Sequence, residues 1–162
     1  MLEPDNNNSQ VPSVPRTQQQ PPELVLIADD NPVSQLLLSR YFLGIGIHTD
    51  LARDGARAVS LARKGNYSLI VMDLCMPGMD GLTATRTIRA HERYVGRPAV
   101  PILIVSASGD ANLGSECEEA GATAFLPKPI SFAALQTAIT RWRLLSSCPG
   151  ESHTENTFTP QA

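Results

Sequence analysis

The chain has 162 residues, a formal charge of −3 and 42% apolar residues, which allows one domain with a full core plus tails and argues against a nucleic-acid binder that works by charge. Cys75, Cys117 and Cys148 lie far apart without CxxC spacing, which gives neither a zinc site nor a disulfide framework and fits a reducing cytoplasm. No apolar stretch approaches the roughly 20 residues of a membrane span, and the N-terminus lacks the apolar core of a signal peptide.

Residues 1–22 are rich in Asn, Gln, Ser and Pro and end in Gln18-Gln19-Gln20-Pro21-Pro22, the composition of a disordered leader or an interdomain linker. Leu24 to Asp29 reads as a buried strand, followed by Asn31 as a cap and Pro32 in a first helical turn. Val33, Leu36, Leu37 and Leu43 share one helical face, and Gly44 ends that helix. Ile47 to Leu51 is a short strand. Ala58, Val59 and Ala62 mark a second helix, stopped at Gly65. Leu69 to Asp73 is a strand that leads into a Pro77-Gly78 turn and a helix from about Leu82 to Glu92. Ile102 to Val105 is a strand. Residues 111–120 form a weak helix interrupted by glycine and stopped at Gly121. Thr123 to Leu126 is the last strand, and Phe132, Leu135, Ala138, Ile139 and Trp142 give a final amphipathic helix. The domain spans 23–145, and residues 146–162 are a flexible polar tail. Five βα units imply one five-stranded parallel sheet with right-handed crossovers and helices on both faces, an α/β class.

Two strands end in acid. Asp29 and Asp30 close the run Leu24-Val25-Leu26-Ile27-Ala28, and Asp73 closes Leu69-Ile70-Val71-Met72. Acids fit a buried parallel strand only where it emerges, and open α/β sheets bind ligands just outside the carboxyl ends of their strands. Three carboxylates at one sheet edge repel each other unless a hard cation lies among them, and oxygen-only ligands suit Mg²⁺. Taken singly, Asp29 or Asp30 reads as a helix cap and Asp73 as a turn carboxylate. Lys128 alone reads as a solvated surface charge, Ser106 as a partner for backbone, and Phe125 as core. His48, His91 and His153 share no ligand-like spacing.

Four segments in this order, Val25-Leu26-Ile27-Ala28-Asp29-Asp30-Asn31, Val71-Met72-Asp73-Leu74-Cys75-Met76-Pro77-Gly78-Met79-Asp80-Gly81, Ile104-Val105-Ser106-Ala107 and Lys128-Pro129, resemble a response-regulator receiver domain. The resemblance covers about residues 23–143 and implies the flavodoxin-like (βα)5 fold with strand order 2-1-3-4-5, for which a receiver is itself a stock example. It implies Asp73 as phosphoacceptor; Asp30 and Asp73 as direct Mg²⁺ ligands, with Asp29 acting through water and the Cys75 carbonyl as a further ligand; Lys128 and Ser106 as partners of the phosphoryl group; and Phe125 as an aromatic that reorients on activation. It also implies a cis Lys128-Pro129 bond, and places Cys75 and Ser108 where they face the attacking water. Ser106 replaces the commoner Thr but keeps the hydroxyl, whereas Phe125 lacks a Tyr hydroxyl.

The function that follows is a phospho-accepting switch. A histidine kinase or histidine phosphotransfer protein supplies the phosphoryl group, and a shifted face passes the signal to a downstream protein target, without nucleic acid or membrane. About 20 residues after Trp142 are too few for a DNA-binding module, so output is a protein contact, or the chain is a receiver from a larger hybrid kinase. The segment Arg89–Pro101 resembles those of hybrid-kinase receivers. An enzyme reading, a Mg²⁺-dependent phosphohydrolase with an aspartyl-phosphate intermediate, requires a second acid where Cys75 stands. A flavodoxin requires a phosphate loop where Asp29-Asp30-Asn31-Pro32 would repel phosphate.

Overall fold

The protein is described by a computed structural model covering residues 23–107 and 112–146. The expected leader, nearly all of the expected tail, and Ser108 and Gly109 lie outside the described residues. Elements alternate in the order β1 (Leu24–Ala28), α1 (Pro32–Gly44), β2 (His48–Ala52), α2 (Gly55–Lys64), β3 (Leu69–Asp73), α3 (Gly81–Val95), β4 (Ile102–Ser106), α4 (Leu113–Ala120), β5 (Ala124–Pro127) and α5 (Phe132–Ser146). The five strands form one parallel sheet in the order β2-β1-β3-β4-β5. Among the described residues no helix is long and apolar enough to cross a membrane.

The central strands β1, β3 and β4 are apolar throughout because both of their faces are covered. Alternation along each strand divides the core. Leu26, Ile70, Met72, Ile102 and Ile104 face α2, α3 and α4 through Ala58, Val59, Ala84, Ile88, Leu113 and Cys117. Val25, Ile27, Val71, Leu103 and Val105 face α1 and α5 through Leu38, Phe42, Leu135 and Ile139. Helices therefore lie on both faces, α1 and α5 on one and α2, α3 and α4 on the other.

Helix starts follow local chemistry. Asn31 accepts the Val33 N–H at 2.9 Å ahead of Pro32. Asp54 and Asp80 cap α2 and α3 by accepting from Arg57 N and Thr83 N, each at 2.7 Å, a role worth about 1 kcal/mol apiece. α4 stops at Gly121, whose φ of 89° is left-handed and favours glycine. α3 runs on to Val95, so much of Arg89–Pro101 is helix and only its last residues form a loop.

The apolar face of α1 differs from the simplest expectation. Val33, Leu36, Leu37 and Leu43 do share a face, but it points to solvent, with exposures of 62%, 53%, 55% and 64%. The opposite face, Gln35, Leu38 and Phe42, is the buried one. Gln35 explains the choice: its buried amide nitrogen donates to Asp29 O and Ala52 O, both at 2.8 Å. Turning the helix by half a turn would take the side-chain donor from both carbonyls, leave Ala52 O with the Asp29 N–H alone and put the amide in water.

Candidate functional site

β1 and β3 pair with Ala28 beside Met72, so the residues that follow them emerge side by side at one edge. One carboxylate oxygen from each of Asp29, Asp30 and Asp73 lies within 4.8 Å of the others. Asp29 and Asp73 are buried, whereas Asp30 is exposed. Asp29 accepts the Asn31 N–H at 2.8 Å, which folds its side chain back over the start of α1.

Lys128 reaches the same place from the end of β5. Its backbone N–H donates to Ser106 O at 2.7 Å, and β5 continues the sheet with Ser106 opposite Pro127. The Lys128-Pro129 bond is cis, as the resemblance implied. The Lys128 ammonium stands 3.0 Å from Asp29 Oδ2 and 3.1 Å from Asp73 Oδ1. It binds two carboxylates at once and is no solvated surface charge.

The loop after β3 is held tightly. A Cβ at Gly81 would collide with the Asp73 carbonyl oxygen and the Leu74 Cα, so only glycine lets α3 start so close to Asp73. Gly78 has a φ of 76° in the turn. The Cys75 side chain is exposed.

Burial raises the Asp73 pKa above the ordinary carboxylate value. The hydrogen bond and charge of Lys128 pull it back, Asp29 pushes it up further, and the Cys75 N–H lowers it. Burial works against the charge on Lys128, but Asp29 and Asp73 outweigh it and leave the Lys128 pKa raised. Mutual repulsion of the acids is thus real at Asp73 but smaller than the cost of taking the carboxylate out of water.

The donor set suits a hard divalent cation. Three carboxylates less one ammonium leave two net negative charges, all donors are oxygen, and the exposed Asp30 leaves one side open to water. Ser106 is buried at the end of β4. Phe125 is half-buried against the α2–α4 side of the core, opposite Ile104. The structure thus gathers Asp29, Asp30, Asp73 and Lys128 directly, with Cys75 and Ser106 on the adjoining loop and strand end and Phe125 two residues before Pro127. Gln35 was not legible in the sequence. A lone Gln in an amphipathic helix signals nothing until its two carbonyl partners, one of them 17 residues away, are known.

Comparison with known proteins gives the same answer from outside. The family described as response regulator receiver domain matches residues 25–140. The peroxide stress-activated histidine kinase mak1 of Schizosaccharomyces pombe is 36% identical over 118 residues, covering 71% of this chain and 7% of that protein. The chain spans less than half the length of the curated relatives it matches, from 3% to 43%. Among solved structures, the receiver domain of the sensor histidine kinase PA1611 from Pseudomonas aeruginosa, with a magnesium ion coordinated in its active site cleft, has a TM-score of 0.67 and 34% identity over 75% of this chain and 98% of that one. The Saccharomyces cerevisiae complex of the phosphotransfer protein Ypd1 with the receiver domain of Ssk1 gives 0.74 and 29% over 80% and 94%. With its parallel sheet in receiver order and its acids at the sheet edge, the chain belongs to the response regulator receiver domain family of two-component phosphorelay systems.

Proposed function

We propose that this domain takes a phosphoryl group from a phosphohistidine onto Asp73, with Mg²⁺ bound, and so switches a protein-interaction face. The observation that carries this is the convergence of Asp29, Asp30, Asp73 and Lys128 at the end of β1 and β3. An Asp73 carboxylate oxygen attacks phosphorus; the P–O bond forms as the P–N bond breaks, the imidazole leaves, and an acyl phosphate results. Lys128, already at Asp73, takes up a phosphoryl oxygen as a point charge, and the Ser106 hydroxyl donates to another. Asp30 and Asp73 would hold Mg²⁺ directly, with Asp29 through water and the Cys75 carbonyl as a further ligand. The ion supplies neutralisation of the phosphoryl oxygens. Ser106 and Phe125 are the switch residues, reorganising α4, β5 and α5 once the phosphate is in place. The setting is the cytoplasm.

The donor is a histidine kinase or a histidine phosphotransfer protein, and the exposed face of α1 is where it lands. Val33, Leu36 and Leu37 follow directly on the acid loop, and Phe132, 57% exposed, stacks on Tyr41 beside them with ring centroids 5.3 Å apart. Exposed apolar side chains on a helix that starts at the acid loop are the feature a docking donor would cover.

Intact-mass measurement after incubation with acetyl phosphate and Mg²⁺ tests the assignment. One phosphoryl adduct is expected, absent from Asp73→Asn; an Asp73→Asn protein labelled to the wild-type extent sinks it. Leu36→Glu with Leu37→Glu should slow transfer from a phosphotransfer protein about tenfold or more, through loss of an apolar anchor, with labelling by acetyl phosphate unchanged.

A further inference from the structure

We propose that the cleft between the C-terminal ends of α2 and α3 is a docking site for an acidic peptide segment of a partner protein, anchored by a large apolar side chain. This cleft lies at the opposite end of the sheet from the carboxylates, one strand length or about 16 Å away, and the proposal does not depend on phosphoryl transfer.

The cleft has a volume of about 760 Å³, within the size range of natural binding pockets. Leu24, Ala62, Tyr67 and Val100 are among its lining residues, are partly exposed and give it an apolar floor over the buried Ile70 and Ile88, with Pro98 and Pro101 at its loop side. The Tyr67 hydroxyl is spent on Asp50, at 2.7 Å, so it presents its ring. The cleft is open, a shape that admits a side chain protruding from a partner.

Two cations stand at the edge: Arg63 in the last turn of α2 and Arg97 just after α3 both line the cleft and are exposed. The Arg97 guanidinium donates to Arg63 O at 3.4 Å, which brings both arginines to one side of the cleft, near His91. No carboxylate forms a salt bridge with these two among the described residues. Two acids also line the cleft. Glu92 is committed to Arg89 at 2.6 Å and to the Val100 N–H at 2.9 Å, and Glu23 stands at the start of β1. In a chain of net charge −3, two arginines without a carboxylate partner at the edge of an apolar hollow select for negative charge joined to an apolar group. Duplex nucleic acid would meet the cations but would leave the aliphatic floor uncovered.

The test uses the full chain, isotope-labelled, titrated with a nonapeptide of Glu and Asp around a central Leu-Phe pair, and followed by amide NMR. Saturable shifts are expected at residues 65–68 and 91–101. Binding should weaken about tenfold, the loss of one well-placed interaction, in Arg97→Glu and separately in Ala99→Trp, which places bulk in the cleft. Arg97 lies outside the helix, so its reversal leaves the α3 dipole alone. A peptide with Ala for Leu-Phe, and one with Lys for the acids, should each bind at least about tenfold more weakly. Absence of saturable shifts at about 1 mM peptide, shifts centred on α1, or equal binding of the Lys peptide overturns the proposal. So does tighter binding of a duplex oligonucleotide or of phosphatidylserine vesicles at the same residues.

Discussion

Lys128 and Asp73, 55 residues apart in sequence, meet as a pair at 3.1 Å across the edge of the sheet, and the same ammonium holds Asp29 at 3.0 Å. One cation thus tethers the ends of β1, β3 and β5. Replacing it by Met should have two opposite effects. Mg²⁺ should bind more tightly, by about tenfold, because a competing positive charge has gone. Phosphorylation by acetyl phosphate should slow by about 10²-fold, because a positioned charge is lost where the transition state needs it. Calorimetric or NMR titration and a mass-based rate measure the two; a variant weaker in both would contradict the placement of the ammonium.

Asp73 should make the fold less stable as pH rises. Its pKa is raised in the folded state, by burial first, so the folded form binds the proton more tightly than the unfolded chain does. That contribution is fully present below the usual carboxylate pKa and is lost as pH climbs through the raised value. Asp73→Asn, which carries no charge there, should therefore be more stable than wild type at pH 7 in EDTA, with the gap closing towards pH 4. Urea midpoints at the two pH values read this directly.

Asp30 is the open side of the acid cluster, and its loss should cost metal more than fold. With Mg²⁺ at ten times its Kd, wild type should gain about 1.4 kcal/mol of stability by mass action. Asp30→Ala should gain much less at the same concentration while keeping a similar melting temperature in EDTA. Thermal melts with and without Mg²⁺ separate the two; an equal Mg²⁺ gain in both proteins would remove Asp30 from the ligand set.

Gln35 holds the acid loop from beneath. Gln35→Met keeps the length but leaves Asp29 O without its side-chain donor, and Ala52 O with the Asp29 N–H at 3.1 Å alone. A cost of about 1–3 kcal/mol is expected. The Mg²⁺ affinity should fall as well, because Asp29 and Asp30 follow from that backbone. A variant that loses stability but binds Mg²⁺ as wild type does would show that Gln35 supports the fold alone.

Glu92 is buried with its carboxylate divided between Arg89 and the Val100 N–H, while Arg89 Nε also donates to Gly121 O at 2.8 Å. Glu92→Ala strands a guanidinium and an amide together. It should destabilise by about 2–4 kcal/mol, read as a shift in the chemical denaturation midpoint, and should loosen α4 against α3 in hydrogen exchange.

The sequence by itself determined the five βα units, their order and the edge where chemistry gathers. Unbroken Leu, Ile and Val in β1, β3 and β4 can only mean strands covered on both faces, and acids directly after such strands must emerge at the carboxyl edge. Asn31 with Pro32, and Gly65 and Gly121, mark helix ends through backbone chemistry that is local and so visible in the residues. Tertiary structure decided what depends on partners far along the chain. The pattern of α1 shows an apolar face, but which of its two sides meets the sheet was set by Gln35 finding carbonyls on β1 and β2. Lys128 reads as a surface charge until β5 places it against Asp29 and Asp73. The cleft also needs the fold, since Arg63 and Arg97 are separated by a strand and a helix and come together only because α2 and α3 pack side by side on one face of the sheet.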